Sequence, residues 1–279
     1  MDYYCLIAGL PDIGIDDSRP AFDTLTFKES VYPQIAANDK RLIDLFYQKF
    51  DNRNLLNYLK DRELHFDMRG NLTKEEMEEC FRLSEEGETV RNKHFPSYFR
   101  EFAEEYKTRR DEDETVKWED RLAGLYYQMA IHCGNAVISG WFEFNLNLNN
   151  ILAAHAARKY NMRAEAVGDN EIAQSIRETA GQRTPSLAGL ANNIEEWQRI
   201  AEEPDWMERE KKIDLLKWQW LDEAIFFKYF TIERIFAYLV RLEIVERRTT
   251  LNREEGKRIF GALIERLKDE ANEIKSNPL

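Results

Sequence analysis

The sequence predicts an all-α protein, and three observations carry that prediction. Chain breakers are scarce: 12 Gly and 7 Pro in 279 residues, about 7% against a usual ~12%. The strong helix formers Leu, Glu, Arg and Ala are abundant. Apolar residues recur at three-and-four spacing through most of the chain, the period of a helix with one buried face. At ~150 residues per domain the length corresponds to two domains or one large one. It suffices to bury about three quarters of the unfolded surface, so no disulfide or metal is needed to hold a core.

The elements follow in order. Tyr3 to Ala8 is a short apolar run ending at Gly9-Leu10-Pro11. At that length strand and helical turn look alike, which leaves a short extended N-terminal segment open. Residues 11–20, with two prolines and Asp16-Asp17-Ser18, read as loop. From Asp39 the pattern turns helical through Leu42, Ile43, Phe46 and Phe50, and a second helix is expected from Asn52 to Leu64. Thr73 and Glu76 are spaced as a capping box for the next helix. Pro96 is placed as a first-turn proline ahead of Phe99, Phe102 and Tyr106. The acid-rich stretches 73–88 and 101–120 read as solvated helix faces. Leu122 to Phe142 reads as a buried core helix, followed by Asn145 to Asn150 and a helix from Ile151 to Tyr160. Thr179 to Ser186 reads as a loop, and Leu187, Leu190, Ile194 and Trp197 mark a helix that stops near Pro204. A long aromatic-rich helical stretch is expected from Met207 to about Arg248, then a final helix from about Asn252 to Ile274.

Charge and composition exclude several functions. A net charge of −12 disfavours nucleic-acid binding, which needs a basic face. It equally disfavours attachment to anionic lipid. The three cysteines, Cys5, Cys80 and Cys133, are widely spaced and form no Cys-x-x-Cys pair, so neither a zinc ribbon nor a redox pair is indicated. Free thiols suit a reducing cytoplasm. Met1-Asp2-Tyr3-Tyr4-Cys5 lacks the basic start of a signal peptide. The 21 uncharged residues from Leu122 to Phe142 could span a bilayer by length. Gln128, His132, Asn135 and Ser139 would each be costly there, so no direct membrane span is expected.

Three segments share an internal pattern: apolar residue, polar residue, two variable positions, polar residue, two apolar residues. They start at Phe50-Asp51, Leu146-Asn147 and Phe230-Thr231, separated by 96 and 84 residues. Asp51, Asn147 and Thr231 are residue types that cap helix starts. Phe50 with Leu55, Leu146 with Ile151, and Phe230 with Ile235 could then act as hydrophobic staples. The third segment either starts a helix or lies inside a continuous one.

The opening Asp2-Tyr3-Tyr4-Cys5-Leu6-Ile7-Ala8-Gly9-Leu10-Pro11-Asp12 resembles the start of a bacterial family encoded among the genes of a rotary V/A-type ATPase, in the place of its C-type subunit (d-type in eukaryotes). The C-type subunit is similar in having three related all-helical units arranged as a funnel, with helix starts of the form Asp-x-x-Asn-Leu or Asp-x-x-Asn-Ile. Asp51-Asn52-Arg53-Asn54-Leu55 matches that form, and Asn147-Leu148-Asn149-Asn150-Ile151 matches it with Asn for Asp. Thr231 to Ile235 departs from it at both polar positions. The resemblance implies one all-α body, 1–279, with pseudo-repeats at roughly 1–110, 111–200 and 201–279. It implies a coupling protein without chemistry or cofactor, whose partners are the central stalk subunits and the membrane rotor ring. It places the protein in the cytoplasm, peripheral to the inner membrane through the ATPase. Asp51, Asn54, Asn147 and Asn150 become its candidate partner contacts, with helix capping as their plainer role.

Enzyme readings fit the sequence poorly. None of His65, His94, His132 and His155 follows a Glu by three residues, as a di-iron helical site needs. His132, beside Cys133 in an apolar stretch, reads as a satisfied core histidine. Asp111-Glu112-Asp113-Glu114 suggests the magnesium motif of a helical diphosphate enzyme. Its would-be second motif, Asp169-Asn170-Glu171 with Ser175 and Glu178, has the wrong spacing. Phosphate-binding glycine loops and the Gly-x-Ser-x-Gly elbow are absent from the sequence. A helical scaffold or regulatory adaptor unrelated to rotary motors is the alternative, although an αα-solenoid would repeat at about 34 to 47 residues.

Overall fold

The chain turns where Gly, Pro or a capping side chain interrupts it, and those interruptions differ from several expected from sequence. The computed structural model describes residues 2–18, 20–61, 65–110, 116–179 and 193–276, with backbone alone at 253, 255 and 258–276. Among these residues there are eleven α-helices, one 3₁₀ turn and no strand, so the fold is all-α. Asp111 to Glu114 and most of the expected 179–186 loop, together with Leu187 and Leu190, lie outside the described residues.

The N-terminal run is helical, not extended: α1 spans Tyr4–Ala8. Its start is tethered, because the Tyr3 N–H donates to Phe230 O at 2.7 Å, and the Tyr4 and Phe230 rings meet at 4.3 Å. Helix α2 (Thr24–Ser30) starts at Asp23, whose side chain accepts from the Thr26 N–H. A 3₁₀ turn at Tyr32–Gln34 leads into α3 (Ala37–Lys60), a single helix of 24 residues. The break expected at Asp51-Asn52 does not occur. No Gly or Pro stands there, and Asp51 bonds to a distant loop instead of capping its own helix.

Helix α4 (Lys74–Glu85) begins with the expected capping box, Thr73 and Glu76 bonding each other's backbone N–H groups. Pro96 stands just ahead of α5 (Ser97–Arg109). The uncharged segment is divided between two helices, α6 (Trp118–Ile131) and α7 (Ala136–Lys159). Gly134 makes the division with φ +81°, a conformation that suits a residue without Cβ. Asn135 then caps α7 by accepting from Ile138 N–H. Helix α7 continues through Asn145 to Asn150, so no helix starts at Ile151. No described helix is long and apolar enough to cross a membrane.

Next come α8 (Glu171–Glu178), α9 (Ile194–Ala201), α10 (Trp206–Ala224) and α11 (Ile232–Ser276). The expected 207–248 helix is interrupted at residues 225–231, and the expected final helix is the continuation of α11. The order repeats. A long helix, a short helix, a third and a fourth run from α3 to α6 and again from α7 to α10, and α11 starts the series a third time. The repeating blocks therefore begin at Ala37, Ala136 and Ile232. The boundary expected near 200 falls inside α9.

One continuous apolar core joins these blocks, from Tyr3 to Ile244. Aromatic rings supply much of it. Phe142 of α7 packs against Tyr126 of α6 at 5.5 Å and against Phe236 of α11 at 6.0 Å. Phe144 meets Trp197 of α9 at 5.5 Å and Trp220 of α10 at 5.4 Å. Replacing Phe142, only 5% exposed, with Ala should cost about 3–5 kcal/mol. Phe226→Ala, at a position 63% exposed, should change stability by less than about 0.5 kcal/mol. Chemical denaturation of the two variants measures both.

Candidate functional site

The sequence-selected polar residues sit in the middle of long helices, and each reaches sideways to a loop that returns along the helix. In α3, Asp51 and Asn54 are 0% exposed. The Asn54 amide holds both backbone groups of one residue: Nδ2 donates to Asp67 O at 2.9 Å, and Asp67 N–H donates to Oδ1 at 2.7 Å. One turn earlier, Asp51 accepts from the N–H groups of Asn71 and Leu72 and from Asn71 Nδ2, at 2.9 to 3.0 Å. The loop lies so close that a Cβ at Gly70 would collide with Asp51 Oδ1. Directly after this clamp, Thr73 caps α4.

The second block repeats the geometry. In α7, Asn150 is 2% exposed. Its Nδ2 donates to Val167 O at 2.9 Å, and Val167 N–H donates to its Oδ1 at 2.8 Å. Asn147, half-buried, accepts from Asn170 Nδ2 at 2.6 Å. Asn170 in turn caps α8 by accepting from Ala173 N–H. Asp51, Asn54, Asn147 and Asn150 thus lie inside α3 and α7 and cap neither helix. Three of the four are buried, and each bonds to a loop of the chain's own that returns along its helix.

The third clamp is not at Thr231 to Ile235. Thr231 directly precedes the first residue of α11. The equivalent pair is Glu243 and Glu246, each 96 residues beyond Asn147 and Asn150, as these are beyond Asp51 and Asn54. Glu246 accepts from the Thr24 N–H and, at 3.1 Å, from the Thr24 hydroxyl. A carboxylate has no donor for a carbonyl, and here the Thr24 carbonyl is taken by the Tyr47 O–H at 2.7 Å. So α2, from the other end of the chain, occupies against α11 the place that α4 takes on α3 and α8 on α7. Glu243 instead pairs with Lys49 of α3. Sequence reasoning missed this pair, although the repeated 96-residue interval was a signal.

Burial sets the electrostatics of the clamps. It raises the Asp51 carboxyl to about 6, against the opposing pull of the Leu72 and Asn71 N–H groups. It also raises Glu246, offset by Thr24. Lys28 of α2 donates to Arg69 O at 2.9 Å and to Gly70 O, and burial lowers its ammonium.

Two hollows adjoin the clamps. A cleft of about 460 Å³ lies between α6, α7 and residues 166–170, with Asp120, Arg121, Glu143 and Arg177 among its polar lining. A cavity of about 290 Å³ lies where α3, α6, α7, α10 and α11 meet, and Lys49, Lys217, Glu243 and Arg247 line it. His132 is exposed rather than in the core, its Nδ1 2.7 Å from Gln128 O. Among the described residues no group of His, Cys, Asp and Glu could hold a metal ion. The most prominent exposed apolar feature among the described residues is the turn before α11, where Phe226, Phe227 and Tyr229 are 63%, 80% and 59% exposed.

Fold and clamps define an all-α protein built on a recurring module of long helix, return loop and capped short helix. By sequence, residues 1–271 match the family described as "Protein of unknown function (DUF2764)", and the chain belongs to that family. No curated protein and no solved structure matches it.

Two outcomes test the clamps. Asn54→Ala and Asn150→Ala each strip partners from a buried N–H and C=O, and each should cost about 1–3 kcal/mol. Amide exchange at Asp67 or Val167 should accelerate in the matching variant. Asp51 gives a pH signature. Its folded pKa of about 6 exceeds the ordinary 3.8, so the folded chain holds this proton more tightly than the unfolded one. Its contribution therefore favours folding below about pH 4 and is lost as pH rises through about 6. The destabilisation by Asp51→Asn should accordingly shrink by about 2 kcal/mol between pH ~4 and pH ~7, read from urea midpoints across that range.

Proposed function

We propose that this protein is a non-catalytic coupling subunit of a V/A-type rotary ATPase, linking the central stalk to the membrane rotor ring. The observation that carries the reading is the clamp itself, recurring at 96-residue intervals on α3, α7 and α11. Three related helical units are what the resemblance to the C-type subunit implies. A part that transmits torque has to resist shear between its helices. Polar clamps of fixed geometry, set in a close-packed aromatic core, supply that resistance. The exposed aromatic turn at residues 226–230 offers an apolar patch of the kind protein partners cover.

In this reading the protein is cytoplasmic and reaches the membrane only through its partners. The test is affinity purification of the tagged chain from cells that make the ATPase. Stalk and ring subunits should co-purify in near-stoichiometric amounts, and the Phe226→Ala/Phe227→Ala double variant should recover fewer of them. Recovery of the tagged chain alone, with those subunits present in the extract, would overturn the reading and favour a helical adaptor. Mg²⁺-dependent turnover of a diphosphate by the purified chain would overturn it in favour of an enzyme.

A further inference from the structure

The cavity among the long helices has its polar groups unevenly spent. Glu243 accepts from Lys49, whose ammonium also lies 3.9 Å from the centre of the Phe46 ring. Arg247 is held from α10, by Glu210 at 2.6 Å and by Asp214. The Asn149 amide donates to Tyr127 Oη at 3.3 Å, which leaves the Tyr127 O–H to donate elsewhere. Lys217 lines the same cavity and has no hydrogen bond or ion pair among the described residues.

The unspent capacity is therefore mostly donors: the Lys217 ammonium, the remaining N–H groups of Lys49 and Arg247, and the Tyr127 hydroxyl. Against them stand fewer acceptors, the second Glu243 carboxylate oxygen and the neutral Oδ1 atoms of Asn145 and Asn149, and the Asn145 Nδ2 donates to Trp141 O. An ammonium withdrawn from bulk water without an acceptor is costly. Burial lowers both lysines; Arg247 lowers Lys217 further while Asp214 and Glu243 oppose the shift, and Glu243 opposes it at Lys49. The volume, about 290 Å³, is many times the ~15 Å³ that one water needs. Asn149 is exposed and Glu243 is partly so, so a solute can reach the lining.

We propose that this cavity binds one small oxyanion of the phosphate or carboxylate class, with Lys217 as its principal ligand and Lys49, Arg247 and Tyr127 completing the donor set. An acceptor-only ligand matches a donor-rich lining, and charge-assisted bonds of this type are the strong ones. The site belongs to the chain by itself, so it stands or falls independently of the coupling role.

Calorimetric titration of the intact protein tests it, with inorganic phosphate and citrate as separate probes in chloride buffer of matched ionic strength. One saturable site is expected for at least one probe, and the preferred probe assigns the class. Lys217→Met keeps the alkyl stem and should weaken binding by about tenfold or more, while Lys217→Arg should restore most of it. Lys228→Met, on the turn before α11, should leave binding unchanged. The inference fails if neither probe gives heat beyond the chloride control. It fails equally if folded Lys217→Met binds within about twofold of the parent. Should Lys217→Met not fold, Tyr127→Phe removes a donor with little change of volume, and undiminished binding by that variant would also overturn the assignment.

Discussion

A side-chain clamp between a long helix and the loop returning along it is the constraint on which the remaining structure depends. The helices that follow the clamps are short: α2 has 7 residues, α4 has 12 and α8 has 8. Helices of that length are marginal in water by themselves. Each is instead given a fixed starting point. Asp67, Val167 and Thr24 would otherwise bring peptide groups against a helix wall with no partner, and buried backbone groups of that kind are rarely tolerated. The Asn side chain matches a peptide's N–H and C=O together, so one residue fixes both position and direction of the loop. A side-chain cap at Asp23, Thr73 or Asn170 then starts the helix.

The third clamp shows how the motif changes when its partner changes. A returning loop follows α3 and α7 within the same block, but for α11 the partner is a segment 222 residues earlier. Glu replaces Asn, and Thr24 answers with two donors, its N–H and its hydroxyl. The Thr24 carbonyl is passed to Tyr47 on α3. The motif recurs as a geometric task and varies as chemistry, which is why a residue pattern alone does not find it.

Much of the fold is legible in the sequence, while the role of the candidate residues is not. The scarcity of Gly and Pro and the three-and-four spacing give the all-α class, and Thr73 with Glu76 marks a cap that the structure contains. Asp51 and Asn147 look like helix caps because Asp and Asn favour those positions. Nothing in the local pattern tells whether such a side chain serves its own helix or a loop some twenty residues on. Phe50 and Leu146 before them imitate staples, although both belong to the interior of continuous helices. Thr231 stands out because the residues around it share the apolar pattern, whereas Glu243 and Glu246 hide in a charged stretch. The break at Gly134 is similarly masked by the absence of charge on both sides, since apolar residues continue across it, although Gly134 with φ +81° and the Asn135 cap mark the turn in the structure.

The closing of the chain on itself distinguishes this arrangement from an open array of repeats. In a solenoid each repeat touches its neighbours alone, and the two ends are free. Here α11 packs on both α3 and α7, and Glu243 ties it to Lys49 of α3. The N-terminal segment sets the short helix α2 against α11, and the contacts of α2 do not stop at α11. Lys28 extends from α2 to the Arg69 and Gly70 carbonyls, the loop that Asp51 and Asn54 hold from the other side. The first clamp and the third are therefore joined through α2. Glu246–Thr24, Lys28–Gly70 and Lys49–Glu243 thus connect α11, α2, the loop after α3 and α3 itself in one network. The first and last blocks are thus joined by shared loops as well as by apolar packing, and the same closure draws Lys49, Lys217 and Arg247 around one cavity.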